Sequence, residues 1–121
     1  MATGNLDKFG GYQKALLLFD AVAEDCVALR EFPELRRLIS QQLAAADSVC
    51  ANIEEGYGRG SRKEFIQFLL YSRGSANEVR GRCMRMGRWQ AKEILDARVG
   101  LAEEVIALLT STIETLRKKL K

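Results

Sequence analysis

The chain contains no histidine. That absence removes Ser-His-Asp and Cys-His nucleophiles, HExxH zinc sites and every histidine general base. Proline is represented only by Pro33, and ten glycines are spread over 121 residues. Such a composition disfavours sheet proteins with many turns, while the abundance of leucine, alanine, arginine and glutamate favours helix. Cysteine is scarce and odd in number: Cys26, Cys50 and Cys83 lie far apart and show none of the CxxC spacings of metal or redox sites. They read as core thiols, because free cysteine is among the most buried residue types. A cytoplasmic, reducing environment is the corresponding expectation. Long hydrophobic runs are also missing, and the quartet Leu16 to Phe19 is too short for a signal-peptide core or a membrane span. No enzymatic activity, metal, cofactor, membrane partner or small-molecule substrate is expected.

What is present is an ordinary globular balance, 47% hydrophobic and 29% charged, in a length that suits one domain over residues 1–121. Four stretches repeat apolar residues at three- and four-residue spacing and predict helices over about 12–29, 33–55, 61–88 and 91–120. In the first, Leu16, Phe19, Ala23, Cys26 and Val27 form the expected stripe, with Gly10-Gly11 as a flexible entry. Pro33 suits the first turn of the second helix, which Gly56 is expected to close in a left-handed conformation. The segment Gly56 to Gly60 then reads as a short loop. Ser61 followed by Glu64 is a capping box that starts the third helix. Its inward stripe is expected to be Phe65, Phe68, Leu69, Ser72, Ala76, Val79, Cys83 and Met86. Short connections between four long helices predict an all-α, antiparallel up-down-up-down four-helix bundle.

The net charge of +3 conceals an uneven distribution. Residues 1–58 carry five basic and nine acidic side chains, residues 59–92 nine basic against Glu64 and Glu78 alone, and the remainder five of each. Arginine outnumbers lysine seven to two in the basic piece, and its planar fork suits phosphate. The third helix is therefore expected to be an electropositive rod, with Arg59, Arg62, Arg73, Arg80, Arg85 and Arg88 as candidate nucleic-acid contacts. Arginines solvated on a helix face, or paired with the acidic first half, are the bland alternative. Ile66, Leu70 and Met84 fall outside the inward sector among these arginines and are the candidate oligomer interface. The basic close of the last helix, Arg117 to Lys121, is explained by the dipole of a helix end.

Other polar residues read as structural. Glu54-Glu55 and Glu103-Glu104 are adjacent pairs that point about 100° apart on a helix and do not converge on one ion. The glycines around Tyr57 lack the GKS or GKT ending of a phosphate loop, although they deliver Arg59 and Arg62 beside the free amides of a helix start. Ser48, Asn52, Ser72 and Ser75 are expected to hydrogen-bond between helices two and three and fix their register. Gly74 and Gly81 each cost roughly 1 kcal/mol against alanine in a helix interior, which a close helix approach would offset.

Several of these residues also carry a likeness. Gln41, Ala45, Ala46, Ser48, Asn52, Ile53, Glu55, Gly56, Gly58 and Arg59, then Glu64, Phe65, Phe68, Leu69, Gly74, Ser75 and Glu78, match a pattern that runs Q, AA, S, NIAEGxGR, EFxxFLxxAxGSxxE. In this the chain resembles the four-helix bundle proteins encoded in intervening sequences of bacterial 23S ribosomal RNA genes and, more distantly, the accessory protein of diversity-generating retroelements. The resemblance implies a cytoplasmic homo-oligomer, a pentameric ring being favoured, with a tie to RNA and no enzymatic activity. Two departures weaken the RNA side. Leu43 and Ala44 stand where many members place arginines, and Glu54 replaces the alanine of "IAEG" beside the loop. The function expected is a non-catalytic oligomeric binding module for structured RNA or a ribonucleoprotein. The alternative is a purely protein-binding scaffold, in which the same arginines would be buried between subunits.

Overall fold

A computed structural model of the chain describes residues 3–120. A short helix α1 (Thr3–Asp7) precedes four long ones: α2 (Gly10–Leu29), α3 (Arg36–Gly58), α4 (Arg62–Met86) and α5 (Lys92–Leu120). Single 3-10 turns at Pro33–Leu35 and Gly87–Trp89 complete the connections. No helix among the described residues is long and apolar enough to cross a membrane.

The register of the long helices follows from who meets whom. Advancing along α3 from Gln42 to Ser48 to Gly56, the partners on α4 recede from Val79 to Ser75 to Phe68. On α4 and α5, Arg80 meets Glu103 and Arg73 meets Thr110. Between α2 and α5, Lys14 meets Glu104 and Asp25 meets Arg98; between α2 and α3, Tyr12 meets Glu54 and Cys26 meets Ile39. Each neighbouring pair is antiparallel, so α2, α3, α4 and α5 run up, down, up and down around one core. That core holds Leu18, Val49, Ile53, Leu69, Val79, Val105, Leu109 and Ile113. A smaller cluster of Leu29, Leu35 and Met86 closes the end that bears Pro33, with Phe32 and Trp89 packed against it.

Several local expectations need correction. Helix α2 starts at Gly10, before the expected Tyr12, and the glycine pair lies inside it. Gly11 is there for proximity, because a β-carbon would stand 2.7 Å from the Phe9 ring and 3.2 Å from Leu109. The buried stripe of α2 is Gly11, Ala15, Leu18, Val22, Cys26 and Leu29, and the expected Leu16 and Val27 are 41% and 62% exposed. In the run Leu16-Leu17-Leu18-Phe19 every residue is apolar, so the run itself carries no phase, and packing against the neighbouring helices selected Leu18. Leu43 of α3 is likewise exposed.

Gly56 does not close its helix. It is buried inside α3, which runs on to Gly58, and the left-handed residue is Gly60, at φ 86°. A β-carbon at Gly56 would come within 2.6 Å of Phe68 Cβ, so this glycine serves the close approach of α3 to α4. Gly74, in contrast, faces open space, and a β-carbon on Gly81 would meet only Arg85; neither marks a close helix approach.

The Ser61 cap forms as expected, with its Oγ accepting from the Glu64 amide at 3.2 Å. The Ser61 hydroxyl also donates to Glu64 Oε1 at 3.1 Å, so the return bond runs between side chains. Pro33 holds Phe32 extended, at φ −100° and ψ 99°, and opens a 3-10 turn before α3 begins. Helix α4 stops at Met86, two residues before the expected Arg88, and α5 matches its predicted span to within one residue. All three cysteines are free and buried, and burial pushes the Cys50 and Cys83 thiols up to about 12 and about 11.

Candidate nucleic-acid interface

Helix α4 is wedged between α3 and α5, and its arginines divide between the two seams. On the α3 side the seam is polar inside. Ser72 donates to the Val49 carbonyl at 2.7 Å and Ser75 to Ser48 Oγ at 3.0 Å, while Asn52 turns back within α3 to Ser48. The expected register bonds are therefore made, with Asn52 acting locally. Gln42, fully inside, donates to the Val79 carbonyl at 2.9 Å and to Cys83 Sγ at 3.2 Å, and its own oxygen accepts from Arg82 at 3.1 Å. Arg82 Nε is buried beside it without a hydrogen-bond partner.

The six candidate arginines do not form one free rod. Arg59 is bound to Glu55 at 3.1 Å and approaches Glu64 at 3.7 Å, with its guanidinium 5.1 Å from the Phe68 ring centroid. Arg80 is bound to Glu103 at 2.9 Å. Arg73 is half-buried and donates to Thr110, a neutral acceptor that leaves its charge uncompensated. Arg62, Arg85 and Arg88 are exposed and form no ion pair among the described residues, and Arg88 lies 6.0 Å from the centroid of Trp89. Arg62 opens α4 while Arg85 and Arg88 stand at and beyond its close, so the free charge is split between ends roughly 35 Å apart. The seam toward α5 neutralises or restrains what lies between.

The three residues expected on an oligomeric face also separate. Ile66 is 7% exposed and belongs to the subunit's own core, which corrects its placement on the outer face. The wheel misplaces it because the seam with α5 widens the inward sector of α4. Leu70 is half-buried against the core, and Met84 stands 54% exposed. The broader exposed apolar surface is on α2, at Leu16, Leu17 and Val27.

Two further polar residues escaped the sequence reading. Arg98 of α5 forms a two-bond bridge with Asp25 of α2, at 2.7 and 2.9 Å, and this hydrogen bonding raises the Arg98 pKa. Gln42 carried a legible signal: it sits seven residues before Val49, on the same inward stripe of α3. Among the described residues no group of histidine, cysteine or acidic side chains is arranged to hold a metal ion.

An antiparallel all-α four-helix bundle with arginines exposed at both ends of one inner helix is thus the class of protein that fold and surface define. Within that class, the chain belongs to the family of 23S rRNA-intervening sequence proteins, whose model matches residues 7–121. Its fold is similar to the crystal structure of a protein of unknown function from the S23 ribosomal protein family of Bacteroides thetaiotaomicron. The TM-score is 0.80 at 24% identity, over 85% of this chain and 97% of that one. None of the curated proteins matches the chain.

Proposed function

We propose that this protein is a non-catalytic, self-associating helical bundle that binds structured RNA or a ribonucleoprotein. The observation that carries the reading is the set of unpaired arginines, Arg62, Arg85 and Arg88, on a segment with nine basic and only two acidic side chains. Guanidinium groups without carboxylate partners gain affinity for phosphate by displacing condensed counterions. The family's name, which ties it to intervening sequences of 23S rRNA, supports the same ligand class. Self-association, with a ring of five as the favoured assembly, would cover Leu16, Leu17, Val27 and Met84. These exposed apolar residues also favour the second reading, a protein-binding scaffold with no nucleic-acid role.

Light scattering and gel shifts with a structured RNA test both parts. The expected particle is an oligomer, and its affinity for RNA drops by about 20-fold or more between about 50 and about 200 mM salt if three phosphates are neutralised. Charge reversal at Arg85 and Arg88 weakens binding to all sequences alike. A monomer that shifts no RNA at low salt overturns the proposal. An oligomer that shifts none selects the scaffold.

A further inference from the structure

We propose that the end of the bundle where α4 begins and α5 closes is a pocket for one unpaired nucleotide of single-stranded RNA. This rests on the RNA-binding reading above and assigns it a site. A slot of about 230 Å³ opens there, lined by Gly60, Ser61, Arg62, Phe65 and Leu116. Its floor is apolar and stiff. The Phe65 ring is held edge-on between Phe9 and Tyr57, at centroid distances of 6.2 and 6.0 Å.

The register of α4 against α5 brings a second arginine, Arg117, to this end of the bundle, next in sequence to the lining residue Leu116. Arg80 meets Glu103, and seven residues earlier on α4 Arg73 meets Thr110, seven residues later on α5. Two more turns in the same direction bring Ile66 level with Arg117, and Arg62 lies one turn beyond Ile66. Arg62 and Arg117 are both exposed, and neither forms an ion pair among the described residues. Glu64, the acid nearest Arg62 in sequence, is engaged by Ser61 and Arg59. Glu114, one turn before Arg117, is the acid on the α5 side, and the exposed Lys63, Lys118 and Lys119 outnumber it.

An apolar floor lined by Arg62, with Arg117 one residue from Leu116, selects a flat, weakly polar body that carries negative charge beside it. An unpaired base with its flanking phosphates meets that description, whereas a bare phosphate or an acidic peptide leaves the floor empty. Of the residues that line the slot, Ser61 and Arg62 carry polar side chains, so the pocket takes bases with little sequence preference.

Fluorescence anisotropy on the full chain at low salt tests the assignment, using a short single-stranded RNA and an abasic strand of equal length. The abasic strand is expected to bind about tenfold or more weakly, because one stacked base is lost. The double variant Arg62→Glu with Arg117→Glu is expected to weaken RNA binding by about tenfold, with its helical melt little changed, because both positions are exposed and the dipole gain at the start of α4 offsets the loss at the close of α5. Leu116→Trp, which fills the slot, is expected to erase the difference between the strands while leaving the salt dependence intact. Equal binding of the two strands by the unmodified protein, or RNA affinity indifferent to the double variant, overturns the pocket and leaves the RNA reading standing. No binding of any RNA removes that reading, and the pocket falls with it. Displacement by an aspartate-rich peptide as efficient as by RNA overturns the pocket in favour of a protein ligand.

Discussion

The two seams of α4 solve the same packing problem with opposite chemistry. Toward α3 the polar side chains turn inward and bond across the seam: Ser72 on the Val49 carbonyl, Ser75 on Ser48, and Gln42 between the Val79 carbonyl and Arg82, whose Nε is the buried polar side-chain atom left without a partner among the described residues. Toward α5 they are long and lie on the rim, as Arg80 on Glu103 and Arg73 on Thr110. A buried hydrogen bond is costly to leave half-made, so the first seam fixes register. An exposed ion pair is worth little, so the second seam holds its arginines lightly. One helix thereby anchors itself with one flank and keeps releasable cations on the other.

The largest expected effect tests how tightly the α3 seam is closed. Gly56→Val forces a β-carbon to within 2.6 Å of Phe68 Cβ, and urea denaturation should show a loss of about 3 kcal/mol. A loss below about 0.5 kcal/mol would mean that α3 and α4 separate easily there, and the contrast would collapse. Next comes Gln42→Ala, which strips Arg82 of its acceptor and leaves a hole; a cost of about 2 kcal/mol is expected in the same measurement. On the α5 side, Arg80→Ala should change stability by only about 0.5 kcal/mol, since both partners are more than one-third exposed. A cost as large as that of Gln42→Ala would show that the two seams are equivalent.

The smallest effect lies outside both seams and emerges only in alkali. Tyr12 donates to Glu54 at 2.6 Å, and this bond, with burial, pushes the phenol up to about 12. Because the folded pKa lies above the unfolded value near 10, the contribution is complete below pH 10 and vanishes as pH rises toward 12. The stability of the Tyr12→Phe protein should fall less steeply across that window than that of the parent. Parallel slopes in the two denaturation profiles would refute the assignment.

How much of this was legible follows the same division. The α3 seam could be read, because Ser48, Ser72 and Ser75 lie at inward spacing and short side chains reach only what is beside them. The Ser61 cap was legible for a similar reason, as all its partners lie within three residues. The partner of Arg80 was not, since a flexible side chain chooses among acids that only the assembled bundle brings near, and the pairing of Arg59 with Glu55, one helical turn back, was hidden because the segment from Gly56 reads as a loop. Gly56 was misread because glycine serves both a left-handed turn and a close helix contact, and the helix on the other side of the contact decides which. The phase of α2 was hidden by Leu16-Leu17-Leu18-Phe19, where any rotation buries something apolar.

The placement of the cysteines has a practical consequence. Cys26, Cys50 and Cys83 sit one each on α2, α3 and α4, all shielded and none bonded to another. A sulfur masked by its own helix becomes available to an alkylating reagent only when that helix loosens. The order in which three mass-tagged positions accumulate label during native incubation would therefore time the departure of each rod from the assembly, without a single engineered probe.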